Sequence, residues 1–168
     1  MKKSALQIEL GKKHGFDSPE QEASLNLART YDQIQAEFTR LFNAHGISPP
    51  LYNVLRILRG HGGDGIPCQV IGNEMITRMP DITRLVDRLE KAGLVKRQRT
   101  TRDRRVVLVG ITERGLDLLA KLDQPVLESH EQLLGHLTHK ELEDLNRLLV
   151  KVRQGAGIGE ERSKGVVH

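Results

Sequence analysis

Apolar residues recur every three or four positions along most of this 168-residue chain, the spacing of helices that bury one face. Leu27, Tyr31, Ile34, Phe38 and Leu41 predict one long helix. Ser18-Pro19-Glu20-Gln21 starts it, with Ser as cap and Pro at the first helical position, and His45-Gly46 ends it. Ser48-Pro49-Pro50 opens a second helix whose buried stripe is Leu51, Val54, Leu55 and Leu58, stopped by the Gly-rich run at 60–65. A short helix is expected over 66–74, with Val70, Ile71 and Met75 inward. The next spans 77–92: Thr77 caps it, Pro80 falls in its first turn, and Gly93 terminates it. Its Ile82, Leu85, Val86 and Leu89 share a narrow arc, with Arg84, Asp87, Arg88 and Lys91 roughly opposite.

The period then changes. Residues 94–99 and 106–111 flank a polar turn at 100–105, and the second run is rich in Val and Ile, which predicts a β-hairpin. Thr112 caps a further helix carrying Leu116, Leu119, Leu122, Val126, Leu127, Leu133 and Leu134, with Pro125 removing one backbone donor on the way. Thr138 and Glu141 form a capping box before Leu142, Leu145, Leu148, Leu149 and Val152. The fold class is therefore mainly α with minor β. Residues 47–111 form a winged helix-turn-helix with a two-stranded β wing. The N- and C-terminal helices, 18–46 and 112–154, form a helical dimerisation domain. Residues 1–17 are an N-terminal extension and 155–168 a flexible tail.

Composition narrows the function. Hydrophobic content is 38%, with no Trp and only five Phe plus Tyr, so the core is lean and the terminal helices keep apolar faces for a second copy. A single cysteine excludes an internal disulfide. No apolar run reaches the roughly 20 residues of a membrane span, and the charged start lacks a signal-peptide core. The expectation is a cytoplasmic protein without membrane contact.

Charge is unevenly spread. Residues 78–105 hold ten Lys+Arg against four acids, a net of +6, while the whole chain is +4. One helix and its hairpin thus hold the entire positive excess, as in a DNA-binding module with a wing.

The motifs ITRLVDRLE at 82–90, GLV at 93–95, DRR at 103–105 and ITERG at 111–115, at this spacing, resemble the MarR (multiple antibiotic resistance regulator) family of bacterial transcription factors. The resemblance covers about residues 22–153. It implies a homodimer with intertwined terminal helices, a recognition helix in the major groove and a wing near the minor groove. It further implies a repressor of a pseudo-palindromic operator in double-stranded DNA, relieved by a small-molecule effector. Two-fold symmetry would set the recognition helices about 34 Å apart, one DNA turn. This chain departs from the family's usual pattern at 75–81, where a Gly-containing turn and a Ser cap are common.

On that reading Arg84 faces the groove, able to pair with guanine O6 and N7 or with phosphate. Thr83 meets a base edge or a thymine methyl, and Arg78, in the first turn, pairs with phosphate. At the hairpin tip stand Arg102, Asp103, Arg104 and Arg105. Arg104 is the side chain expected in the minor groove, with Asp103 orienting Arg105 or its partner through a charge-assisted bond. The effector pocket is expected near Tyr31, Tyr52 and Arg56.

Two other readings compete: a winged-helix protein-interaction module without DNA binding, and a redox-sensing regulator acting through Cys68. His130, His136 and His139 straddle a helix boundary without a matching Cys or carboxylate set, so no metal or other cofactor is expected. No catalytic constellation is present, and the chain is not expected to be an enzyme.

Overall fold

The computed structural model describes residues 3–63, 65–99 and 107–155. In chain order the elements are α1 (Ala5–Glu9), α2 (Pro19–Ala44), α3 (Pro49–His61), β1 (Ile66–Pro67), α4 (Cys68–Glu74), α5 (Ile82–Lys91), β2 (Val95–Arg99), β3 (Val107–Ile111), α6 (Glu113–Leu134) and α7 (His139–Gly155). The sheet is antiparallel, ordered β1-β3-β2, with Val95 opposite Ile111 and Ile66 opposite Val109. The winged-helix architecture and its helical flanks match the expectation from sequence.

Local chemistry explains most boundaries. Ser18 accepts a hydrogen bond from the Gln21 amide at 3.2 Å, and Pro19 occupies the first turn where no amide donor is needed. Thr138 and Glu141 cap each other reciprocally at the start of α7. α5 ends in a Schellman turn: the Gly93 amide donates to Glu90 and the Leu94 amide to Leu89, with Gly93 at φ +71°. The Thr112 hydroxyl accepts from the Gly115 amide and donates to the Gly93 carbonyl, fixing α6 to the turn between α5 and β2. Gly115 packs so closely under Leu94 and Ile111 that any side chain there would strike them. α6 runs unbroken through Pro125.

The core lies between α3, α4, α5, the sheet and the first half of α6. Val54, Leu55, Leu58, Ile71, Val86, Leu89, Val109, Leu119 and Leu122 are almost wholly excluded from solvent. Each such side chain contributes about 1.5–3 kcal/mol on burial, so this one cluster sets the position of α5. α7, by contrast, buries no residue within the protomer, and its Leu148 and Val152 are 50% and 55% exposed.

The starts of two helices differ from the sequence reading, and two short elements are added to it. The helix expected over 77–92 begins at Ile82, capped by Asp81, whose carboxylate accepts from the Arg84 amide at 2.9 Å. Pro80 disfavours helical backbone at Met79, which moves the start past both Thr77 and Pro80. Arg78 therefore lies in the loop before α5 rather than in its first turn. The helix expected over 66–74 starts only at Cys68, because Ile66 and Pro67 pair with β3. The wing itself remains the two-stranded β2–β3 hairpin, and β1 adds a third strand to its sheet. The N-terminal extension contains α1, closed by a capping box between Ser4 and Gln7 and anchored by buried Leu6.

Candidate nucleic-acid interface

Because the apolar stripe of α5 is given over to the core, the rest of its surface is determined by helical geometry. Arg84, Arg88 and Lys91 stand at i, i+4 and i+7, share the face opposite the stripe, and are exposed. Thr83 and Arg84, also exposed, lie in the first turn. The ten residues of α5 give a rod about 15 Å long, matching the length of a groove contact. The Asp81 cap settles which residues begin it.

The loop leading into α5 is tied back to α3: the Asn53 side-chain carbonyl accepts from the Ile76 amide at 2.9 Å. Arg78 sits exposed within this loop. On β2, Lys96 and Arg99 are exposed as well. Arg102, Asp103, Arg104 and Arg105 lie outside the described residues.

Not every cation in the basic segment faces outward. Arg97 turns onto α5, bonding Asp87 and Glu90, each at 2.6 Å, and reaching the Thr83 carbonyl at 3.4 Å. Burial works against its charge, but the two carboxylates outweigh burial and hold the guanidinium above its ordinary range. Sequence alone counts Arg97 with the others; its position two residues after buried Val95, on the same strand face, is the signal that sets it apart.

Cys68 is half-buried at the start of α4, and burial pushes its thiol up, only partly offset by Arg97. A raised thiol is a poor nucleophile, which weighs against a redox-sensing role. His130 packs on the Phe38 ring at 4.8 Å, and no group of three or more metal-ligating side chains gathers among the described residues.

Tyr31, Tyr52 and Arg56 line one cavity of about 1070 Å³ between α2, α3, α6 and the loop before α5. Its wall is largely aromatic and aliphatic, with Phe42 and Tyr52 stacked at 4.3 Å. Burial raises the Tyr52 phenol, so the ring presents a neutral hydroxyl. Asp123 grips Arg59 through two bonds of 2.7 and 2.8 Å, and this pairing holds its carboxyl below the usual range. Arg56 reaches the same carboxylate only at 3.4 Å. Arg59 is thus engaged by Asp123, while Arg56 retains donors for a ligand. Asn53, Met75, Ile76 and Met79 also line this space, so the cavity adjoins the segment that leads into α5.

The sequence profile of the MarR family matches residues 47–107. MhqR, a helix-turn-helix transcriptional regulator of Bacillus subtilis, is 32% identical over 126 residues, spanning 75% of this chain and 86% of its own length. A MarR transcription factor from Planctomyces limnophilus is 46% identical, with a TM-score of 0.63 over 80% of this chain and 97% of that one. BpsR of Bordetella bronchiseptica, whose DNA binding is regulated by 6-hydroxynicotinic acid, shares the fold. It aligns at 21% identity with a TM-score of 0.72, over 82% of this chain and 97% of that one.

Proposed function

This chain belongs to the MarR family, and from that membership we propose that it is a sequence-specific DNA-binding transcriptional regulator. On this reading it is a homodimeric repressor, not an enzyme, released from a pseudo-palindromic operator by a small molecule. The observation that carries it is the exposed row Arg84, Arg88 and Lys91 on a helix with a capped, accessible first turn. Thr83 and Arg84 read base edges in the major groove, Arg78 grips phosphate ahead of the helix, and Arg102, Asp103, Arg104 and Arg105 form the wing contact. Residues 47–111 are the DNA-binding unit, and 18–46 with 112–154 the dimerisation unit.

A second copy is the proposed cover for the exposed apolar side chains of α2, α6 and α7, among them Leu27, Leu127 and Leu148. The dimer then sets the spacing of the two reading helices. The cavity supports the regulatory half of the proposal. Its stacked rings suit a small planar aromatic molecule, and the Arg56 guanidinium suits an acidic group on it. A ligand that favours a spacing unmatched to the groove lowers affinity by shifting the population of dimers.

Salt titration of binding to duplex DNA carrying the selected operator is the test. The logarithm of affinity is expected to fall linearly with the logarithm of salt concentration, by about 0.9 for each phosphate neutralised. Binding that is absent or flat with salt overturns the DNA reading and leaves the protein-interaction module.

A further inference from the structure

We propose that Arg97 is a positioning residue that locks the wing ladder to the reading helix, so that the two DNA contacts of one protomer act as a single rigid body. This rests on the DNA-binding reading above. Arg97 belongs to β2, yet among the described residues its side chain bonds to α5: the Thr83 carbonyl, the Asp87 carboxylate and the Glu90 carboxylate. Those three residues stand at i, i+4 and i+7, one stripe along the helix flank beside the row of Arg84, Arg88 and Lys91. A single guanidinium therefore spans two helical turns of α5. The Arg97 amide adds a further bond to Glu90 at 3.2 Å, so backbone and side chain hold the same carboxylate.

The position of this tie along the hairpin matters. Inward-facing positions on β2 alternate: Val95 is buried, Arg97 follows at 25% side-chain exposure, and Arg99 is exposed. Apolar packing between the strand and α5 ends at Val95. Below it, the Gly93 turn and the Thr112 bridge fix where helix and hairpin meet. The buried Val109 and the pairing of β1 with β3 hold the base of the hairpin as well. Among the described residues, Arg97 supplies the outermost side-chain tie between β2 and α5, the one that resists a change in the angle between strand and reading helix. Two contacts joined rigidly at the correct angle bind DNA together with little further loss of entropy, whereas loosely joined ones lose that advantage.

Lysine is the informative substitution, because it keeps the charge while replacing a planar fork with a single point donor. The Arg97→Lys protein, full length, should bind operator about tenfold more weakly with an unchanged salt slope. Guanine N7 protection from methylation in the major groove should persist, while hydroxyl-radical protection at the flanking minor groove should fade. The paired change Asp87→Asn with Glu90→Gln provides a test of sign. It makes the DNA-facing surface more positive by two charges, so a purely electrostatic role predicts tighter binding. The positioning role predicts weaker binding, again with loss confined to the flanks. Wild-type affinity in Arg97→Lys, or tighter binding in the paired variant, overturns the proposal. So does a loss spread evenly over both grooves in variants whose melting temperature has also collapsed. Failure of the wild-type protein to bind DNA would instead overturn the preceding reading.

Discussion

Arg84 and Arg97 carry the same side chain thirteen positions apart, and their surroundings assign them different tasks. Arg84 projects from the outward face of α5, whereas Arg97 is neutralised by Asp87 and Glu90. On the proposed interface, Arg84→Ala removes a bidentate base contact and should weaken specific binding by roughly 1–3 kcal/mol. Competition between operator and random duplex measures this, and unchanged discrimination would remove Arg84 from the site. A second residue-scale prediction concerns Asp123. Its pairing with Arg59 lowers the carboxyl's proton affinity in the folded state, so the unfolded chain binds that proton more readily. The pair's contribution to stability is therefore complete above the ordinary carboxylate range and lost as pH falls through it. Urea unfolding of wild type and Asp123→Asn should differ at about pH 6 and converge towards about pH 3. A gap that widens on acidification would contradict the assignment. The role of Arg84 is legible in the chain from the helical spacing, whereas that of Asp123 is not: Arg59 and Asp123 lie 64 residues apart, and only packing of α3 on α6 joins them.

Elements are legible in the sequence where a local device specifies them. The Ser18, Thr112 and Thr138 caps and the Gly93 turn each act within four or five residues, and each falls where the sequence places it. β1 is not legible because two residues cannot display a two-residue period, and its partner strand lies about forty positions away. The start of α5 differs from the sequence expectation for another reason. Thr77 and Asp81 are both competent caps, and the decision rests on the backbone restriction that Pro80 imposes on Met79. The consequence is testable at the scale of the helix. Asp81→Ala should cost about 1 kcal/mol of stability, and Asp81→Asn should restore most of it, since an amide oxygen also caps. Thr77→Ala should be close to neutral. Thermal unfolding of the three variants checks this, and the reverse order would return the helix start to Thr77.

At the scale of the whole molecule the decisive feature is a surface that one protomer leaves unfilled. The lean aliphatic composition calls for a second copy, and the fold shows where that need is greatest. Leu145, Leu148 and Val152 stand at i, i+3 and i+7 on α7, each more than a third exposed, on a helix that buries nothing in its own protomer. Because α7 gives no residue to the core around α3 and α5, a charge placed on it should spare the fold of the winged unit. Leu148→Glu is therefore expected to yield folded monomers by sedimentation, with helical content and melting of the winged unit retained. Such a monomer still carries an intact reading face and can occupy one half-site. It loses the second, tethered contact, so affinity for the full operator should fall by about a hundredfold or more. Affinity for an isolated half-site should change little. That difference separates a dimer that positions two readers from a dimer needed merely to fold each of them. A Leu148→Glu protein that remains dimeric at micromolar concentration would move the interface off α7. One that unfolds would show that the two protomers share a single core.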